Sequence, residues 1–181
     1  MRELLVGGRV LALAVGDIAA FEADAVVNAA NAALAGGGGV DGAIHRAAGP
    51  SVMAELRRNH PGGTPTGSAV LTTAGRLPSR WFVHAVGPIW RVGAGDEATL
   101  LASAYRSALE LAAGVGARSA ALPAISAGVY GYPLQEAARI GLETARDHLS
   151  GETTIERATF VLFSAETFGI FETELDRLAK G

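Results

Sequence analysis

The sequence predicts an α/β layered domain in which helices cover a central sheet. Short apolar runs typical of buried strands alternate along the 181 residues with segments of helical periodicity. Apolar residues make up 49% of the chain and charged residues 18%, a balance that excludes disorder and allows a sizeable core. We expect a chain of this length to form one domain over residues 1–181.

The same patterns place the individual elements. Six strands are expected, at residues 10–15, 25–27, 69–72, 81–85, 120–123 and 158–163. Five helices are expected, at residues 40–48, 51–59, 97–113, 134–149 and 168–179. The third helix carries a broad apolar stripe typical of packing. Gly114, Gly151 and Gly181 occupy positions typical of glycines at helix C-termini.

Composition also limits the classes of protein. Residues 1–7 are too short and too acidic for a signal peptide, and the chain has no cysteine for a disulfide, so the cytoplasm is the expected location. No apolar run reaches the roughly 18 residues of a membrane span. The net charge of −3, with both signs mixed along the chain, argues against non-specific nucleic-acid binding. No heptad pattern occurs, so a monomer is expected.

The most informative segment is residues 28–45, where Asn28, Asn31 and Asp41 bracket the four glycines at 36–39. Glycines let the backbone approach a ligand closely, and successive N–H groups in such a loop form a nest that binds anions. A helix expected to begin at Val40 directs its positive end to the same place. The segment therefore predicts a phosphate site with reactive groups beside it.

A dinucleotide fingerprint is the alternative for this segment, because Gly37, Gly39 and Gly42 satisfy G-x-G-x-x-G. In the dinucleotide-binding fold that carries this fingerprint, the first glycine follows its strand almost directly, and an acidic residue ends the next strand. Here eight residues, 28–35, separate the strand from the glycines, and no such acidic strand follows. A Walker-type phosphate-binding loop is also excluded, because the sequence contains no Gly-Lys-Ser/Thr. We interpret the fingerprint as a chance match.

A second glycine-punctuated loop, residues 126–131, follows the strand at 120–123 and leads into the helix after Pro133. Two such loops at the carboxyl ends of strands would flank a crevice of the kind in which open α/β sheets bind ligands. Facing nests suit a diphosphate. The residues alone leave open a simple tight turn at Gly128 and Gly131.

These motifs resemble the macrodomain superfamily and, within it, the MacroD-type ADP-ribosyl hydrolases, which include O-acetyl-ADP-ribose deacetylases. The resemblance covers about residues 10–165, in the family's order. It rests on the segments 16–18, 27–31, 36–45, 47–50, 84–88 and 123–133. It implies a three-layer α/β/α fold with a central mixed sheet flanked by helices.

The resemblance also implies roles for particular residues. Asn31 and Asp41 would be catalytic at the distal ribose of ADP-ribose. Asp17 would accept a hydrogen bond from adenine, and Phe163 would lie against the base. The implied ligand-binding residues are Asp17, Ile18, Asn28, Ala29, Gly37, Gly38, Gly39, Val40, Ser126, Ala127, Gly128, Val129, Tyr130, Gly131 and Phe163. Taken alone, these residues also have simple structural explanations. Asp17 could cap a helix or turn, Phe163 could be a core residue, and Asn31 could form a turn.

The chemistry of these side chains supports a reaction at a sugar. A carboxylate at Asp41 stabilises oxocarbenium-like charge and orients water, and Asn31 offers both a donor and an acceptor. One carboxylate without a paired acid suits a leaving group that needs no protonation, unlike most glycosidases. We hypothesise hydrolysis of mono-ADP-ribose from acidic side chains and deacetylation of O-acetyl-ADP-ribose. The alternative is a non-catalytic ADP-ribose reader, which has no use for Asn31 and Asp41.

No cofactor or metal is expected. The four histidines, His45, His60, His84 and His148, have no ligand spacing, and His45 is expected to hydrogen-bond within the fold. The resemblance implies ADP-ribose, ADP-ribosylated proteins and O-acetyl-ADP-ribose as partners. A membrane is not expected, and nucleic acid is expected only as ADP-ribosylated ends.

Overall fold

All strands belong to one mixed sheet. The computed structural model describes residues 1–181 and contains seven strands in the order β1-β2-β7-β6-β3-β5-β4. The inner five strands are parallel, and β1 and β4 pair antiparallel at the two edges. The strands are β1 (Arg2–Val6), β2 (Arg9–Val15), β3 (Ala25–Ala30), β4 (Ala69–Thr73), β5 (Trp81–Val86), β6 (Ser119–Leu122) and β7 (Arg157–Leu162).

Helices cover both faces of the sheet, which confirms the predicted three-layer α/β/α fold. The helices are α1 (Gly39–Ala48), α2 (Pro50–Asn59), α3 (Glu97–Gly114), α4 (Leu134–Ser150) and α5 (Ala165–Leu178). The core on one face includes side chains of α3, α4 and α5, and the core on the other includes those of α1 and α2. None of the helices has the length and apolarity needed to cross a bilayer.

The central strand β3 contributes to both cores because successive side chains of a strand point to opposite faces. Val27 packs in the core with α3 to α5, and Val26 packs in the core with α1 and α2. Asn28 follows on the α1 face and is fully buried. A polar amide on an otherwise apolar strand needs a partner, and that partner lies in the site described below.

The expectation that the first strand begins near Val10 was wrong. Residues 2–6 form β1, which makes a hairpin with β2. Val6 pairs with Arg9, so Gly7 and Gly8 form a two-residue loop, and both have positive φ (54° and 86°). These dihedrals are those of a type I′ turn, which Gly-Gly favours. β1 begins with the exposed charged residues Arg2 and Glu3, and charged side chains are typical of an edge strand.

Other differences concern element ends. β3 continues to Ala30, three residues beyond the predicted end, because it stays in register with β5. α5 begins at Ala165 rather than 168, since Ser164 accepts a hydrogen bond from the Thr167 N–H as its N-cap. Gly151 is a helix C-cap as expected, whereas Gly114 is the last residue of α3 and Gly181 lies beyond the end of α5.

Candidate functional site

A cavity of about 670 Å³ opens at the carboxyl edge of β2, β7, β6 and β3. These four strands are neighbours and parallel, so the loops after them meet at one edge of the sheet. At the usual strand spacing, β2 and β3 lie about 14 Å apart. The cavity is therefore long enough for an extended ligand of nucleotide size.

Nearly all of the residues implied by the motifs line this cavity. The exceptions are Asn28, which is fully buried behind the wall, and Gly131. The wall also contains apolar residues that the motifs did not single out, among them Ile44, Ile125 and Val161. The implied residues that do line the cavity are Asp17, Ile18, Ala29, Asn31, Gly37, Gly38, Gly39, Val40, Asp41, Ser126, Ala127, Gly128, Val129, Tyr130 and Phe163.

The β3 end of the cavity contains the Asp41 carboxylate. Asp41 lies in the first turn of α1, where the helix dipole favours negative charge. Asn28 Nδ2 donates a 2.6 Å hydrogen bond to Asp41 Oδ1, and His45 Nε2 lies 3.4 Å from the same oxygen. Asp41 Oδ2 faces Gly37, lying 3.3 Å from the place a Cβ there would occupy. Asn28 thus holds the carboxylate from behind while the second oxygen faces the glycine loop.

Asn31 lies beside this carboxylate and also shapes the loop. Its Nδ2 donates to the Gly36 carbonyl at 2.9 Å, and its Oδ1 accepts from the Ala35 N–H at 3.1 Å. A Cβ on Gly37 would lie 3.8 Å from Asn31 Nδ2. Taken alone, the sequence also allows a turn-forming role for Asn31. The structure shows that its side chain supports the loop and also faces the cavity.

The glycine loop presents free backbone donors to the cavity. The N–H groups of residues 37–40 donate to no protein acceptor, and Gly38, the N-cap of α1, supplies no capping side chain. Gly42 lets the loop approach the helix, because a Cβ there would lie 2.5 Å from the Gly37 carbonyl oxygen. Unpaired N–H groups together with a helix dipole are the features with which helix N-termini bind anions in other proteins.

The second loop, after β6, also presents free backbone N–H donors to the cavity. The N–H groups of residues 128–130 donate to no protein acceptor. Its entry is fixed by Tyr105 of α3, whose buried hydroxyl accepts from the Ile125 N–H and donates to the Pro123 carbonyl. Tyr105 could not be recognised from the sequence, because a tyrosine in an apolar helix stripe gives no sign that its hydroxyl holds a distant loop. Burial raises the pKa of Tyr105, which keeps this hydroxyl protonated.

Ser126 begins the second loop in a conformation that few side chains adopt. Its φ is +64°, and its buried Oγ has no protein hydrogen-bond partner. Gly87 opposes it, because a Cβ at Gly87 would lie 2.2 Å from Ser126 Oγ. Strained residues of this kind cluster at ligand sites. The glycine after β5 thus makes room for the loop after β6.

The β2 and β7 end of the cavity contains Asp17 and Phe163. Asp17 Oδ1 accepts from the Ala19 N–H and caps the 3-10 turn Ile18–Ala20, which leaves Oδ2 without a protein donor. Phe163 follows β7 directly and is 84% exposed, so it is not a core residue. An exposed aromatic ring at a cavity rim is a ready surface for a flat ligand group.

Tyr130 and Val129 lie on the second loop between the two ends. Val129 is 96% exposed and Tyr130 is half-buried. Burial, with a smaller contribution from the Asp41 carboxylate, raises the pKa of Tyr130. The phenol is therefore protonated at neutral pH and remains a hydrogen-bond donor.

Two histidines lie behind Asp41 in a buried cluster. The rings of His45 and His84 stack with centroids 5.5 Å apart, and His84 Nε2 lies 2.9 Å from Thr72 Oγ1. Burial lowers the pKa of His84 to about 3 and also lowers that of His45 against the opposing effect of Asp41. Both rings are therefore neutral at pH 7. Nowhere in the chain do three or more metal-ligating His, Cys, Asp or Glu side chains cluster.

We expect His84→Gln to flatten the acid-side dependence of stability. The folded protein keeps His84 neutral down to about pH 3, whereas the unfolded chain protonates it near pH 6.5. The unfolded state thus binds more protons in this window, and His84 lowers the unfolding free energy by up to about 1.4 kcal/mol per pH unit as pH falls. Urea unfolding of the wild type and of His84→Gln at pH 4, 5, 6 and 7 gives the slope of the unfolding free energy against pH for each protein. Equal slopes for the two proteins would contradict this account.

Comparison with known proteins identifies the architecture around this cavity. The Macro domain family model matches residues 27–141. A Macro domain-containing protein of Streptomyces coelicolor is 50% identical over 169 residues, covering 91% of this chain and 98% of that protein. An O-acetyl-ADP-ribose deacetylase of Klebsiella pneumoniae is 51% identical over 158 residues, covering 86% of this chain and 90% of the enzyme.

Solved structures agree with the sequence relatives. The Oceanobacillus iheyensis macrodomain with ADP superposes with a TM-score of 0.93 at 41% identity, covering 99% of this chain and 96% of that one. The Trypanosoma brucei macrodomain in complex with ADP-ribose gives a TM-score of 0.84 at 39% identity, covering 91% of this chain and 68% of that one. With the fold, the two glycine loops and these relatives in agreement, the chain belongs to the Macro domain family.

Proposed function

We propose that this protein binds ADP-ribose in the cavity and hydrolyses its ester linkages, removing mono-ADP-ribose from Asp and Glu side chains of proteins and deacetylating O-acetyl-ADP-ribose. The observation that carries the proposal is the Asp41 carboxylate, held by Asn28 at one end of a cavity whose middle presents two rows of free N–H donors. The deacetylase name of the Klebsiella relative and the ADP-ribose complex of the Trypanosoma macrodomain support it.

The two ends of the cavity suit the two ends of ADP-ribose. The free Oδ2 of Asp17 is an acceptor for the amino group of adenine, and the exposed ring of Phe163 offers a face for the base. The diphosphate then lies between the N–H groups of residues 37–40 and those of 128–130. This order directs the distal ribose toward Asn31 and Asp41. Backbone donors and the α1 dipole replace the basic side chains that many phosphate sites use.

The reaction at the anomeric carbon follows from this placement. Water adds to that carbon while the bond to the ester oxygen breaks, and the side-chain carboxylate leaves as an anion that needs no general acid. A phosphate oxygen of the substrate accepts the proton from water. Asp41 stabilises the positive charge that develops on the sugar and, with Asn31, orients the ribose. In O-acetyl-ADP-ribose, water instead adds to the acetyl carbonyl, and the ribose oxygen takes up a proton as it leaves.

Tyr130 is expected to position the distal ribose. We expect Tyr130→Ala to lower kcat about tenfold and to change ADP-ribose affinity less than threefold, because a half-buried ring beside the reactive end restricts the sugar without holding the diphosphate. Single-turnover kinetics and calorimetry measure the two quantities. Tyr130→Phe, which keeps the ring, is the control. Equal losses of rate and affinity in Tyr130→Ala would refute a positioning role.

The decisive experiment is release of ADP-ribose from a protein that carries mono-ADP-ribose on glutamate, followed by chromatography, with O-acetyl-ADP-ribose as a second substrate. Affinity for ADP-ribose is measured by calorimetry on the same preparation. We expect binding together with hydrolysis of both esters. Binding without hydrolysis would make the protein a reader, and absence of binding would overturn the whole proposal.

A further inference from the structure

A second concave surface lies on the other side of the glycine loop. This arginine pocket, about 450 Å³ in volume, is formed by the loop at residues 35–37, α1, the start of α2 and Arg76. Gly37 lines both this pocket and the larger cavity. His45, whose Nε2 lies 3.4 Å from Asp41 Oδ1, also lines it. The pocket is therefore next to the reactive end of the cavity.

Two guanidinium groups of this pocket lie close to backbone at glycine positions. Arg46 Nη1 lies 3.2 Å from the place a Cβ on Gly42 would occupy. Arg76 Nε and Nη2 lie 2.9 Å from the corresponding place at Gly49, and the Arg76 N–H donates to the Ala48 carbonyl. Side chains at either glycine would push these groups away. The two glycines thus leave room for the guanidinium groups over the junction of α1 and α2.

Neither guanidinium group has a partner within the protein. No side-chain hydrogen bond is donated by Arg46 or Arg76, and no carboxylate lies within 4.0 Å of either. The pocket is lined by no Asp or Glu. Six other arginines, among them Arg2, Arg118 and Arg139, do form ion pairs with carboxylates. The donors of the arginine pocket are therefore available to an external anion.

We propose that the arginine pocket binds an acidic side chain of the ADP-ribosylated protein, close to the modified residue. The inference rests on the proposed function, which places the linkage to the protein at the Asp41 end of the cavity. Gly37 lines both surfaces, so a polypeptide that leaves the cavity past this residue would reach the arginine pocket directly. The planar fork of arginine matches a carboxylate with two parallel hydrogen bonds. The pocket would thus favour sites of modification in acidic segments over those in neutral ones.

Two peptides test this proposal. Each carries one ADP-ribosyl-glutamate, flanked by aspartates in one peptide and by serines in the other. We expect the KM of the acidic peptide to be roughly three to ten times lower, since each exposed ion pair contributes modestly. In Arg46→Gln/Arg76→Gln the ratio of the two KM values should approach one. The preference should also vanish in about 1 M salt, where the Debye length is about 3 Å.

A matched control removes the same charge elsewhere. Arg57 and Arg58 are exposed on α2, form no ion pair and do not line the pocket. Arg57→Gln/Arg58→Gln should keep the wild-type preference for the acidic peptide. If this control loses the preference as fully as the pocket variant does, the effect is one of overall charge and the pocket assignment is wrong.

Binding measurements separate this proposal from the proposed function. Calorimetry of the two peptides with the Asp41→Asn protein needs no turnover. Preferential binding of the acidic peptide without hydrolysis by the wild-type protein would contradict the proposed hydrolase activity and support the arginine pocket. Hydrolysis of both peptides with equal KM and equal affinity would contradict the role of the arginine pocket and support the proposed hydrolase activity. Tighter binding of a phosphoserine-flanked peptide than of the aspartate-flanked peptide would show that the pocket recognises a phosphoryl group. That result would contradict its assignment to a carboxylate.

Discussion

Replacement of Asp41 by alanine is expected to lower the rate of ester hydrolysis about 10²- to 10³-fold, a loss typical of removing one group that stabilises transition-state charge. Affinity for ADP-ribose should change less than threefold, because the N–H donors of residues 37–40 and 128–130 are backbone groups that the substitution leaves in place. Single-turnover release of ADP-ribose gives the rate, and calorimetry gives the affinity.

The truncation has a structural cost that the experiment must separate from catalysis. Asp41→Ala leaves the buried Asn28 Nδ2 without its acceptor, a loss of about 1–3 kcal/mol. Asp41→Asn keeps the shape and an acceptor oxygen but removes the charge, so it should lose the rate with a smaller loss of stability. Thermal unfolding of both variants distinguishes the two effects.

A carboxylate at the other end of the cavity is the control. Asp17→Asn should weaken ADP-ribose binding several-fold while bound substrate still turns over at near the wild-type rate, since Oδ2 of Asp17 lies at the β2 end. If Asp41→Ala loses rate and affinity in the same proportion as Asp17→Asn, the catalytic role assigned to Asp41 is wrong.

Gly42→Ala is expected to have the second large effect. The new Cβ would lie 2.5 Å from the Gly37 carbonyl oxygen, a backbone atom that moves only if the glycine loop moves. We expect the unfolding free energy to fall by about 1–3 kcal/mol, as is usual for overpacking. ADP-ribose affinity should fall about tenfold or more, because the displaced loop redirects the N–H groups of residues 37–40. Urea unfolding and calorimetry measure the two effects.

Gly169→Ala provides the matched comparison. Gly169 also lies inside a helix, α5, but a Cβ there meets no atom within 4 Å. The same substitution should raise the unfolding free energy by up to about 1 kcal/mol through helix propensity. Opposite signs for the two variants would isolate the contact with the loop. Retention of both stability and affinity by Gly42→Ala would refute the tight packing between α1 and the loop.

Much of the fold could be predicted because its signals are local. Apolar runs and helical periodicity located six of the seven strands and all five helices, with ends that shifted by up to three residues. The missed strand, β1, also has a local signal: Gly7-Gly8 between apolar runs is typical of a two-residue hairpin. The two charged residues at the start of β1, Arg2 and Glu3, left an apolar run of only three residues and obscured that signal, since edge strands tolerate polar residues.

The candidate site divides in a similar way. The motifs named almost every polar group that lines the cavity. They also named Asn28, but its amide lies behind the wall and holds Asp41, a placement set by which face of β3 meets α1. Tyr105 gave no signal at all, because its role is to hold the loop after β6 across a distance of 18 and 20 residues in sequence.

By itself, therefore, the sequence determined the chemistry available here: a run of glycines that leaves backbone N–H groups accessible, one carboxylate and one amide beside them, and the periodicities of an α/β domain. Only the tertiary structure decided which of these groups meet. The strand order places β7 and β6 between β2 and β3, so loops near residues 17, 31, 126 and 163 share one edge. That order depends on pairing between strands far apart in sequence, such as β2 with β7, and on burying both faces of the sheet in two hydrophobic cores, which no local pattern contains.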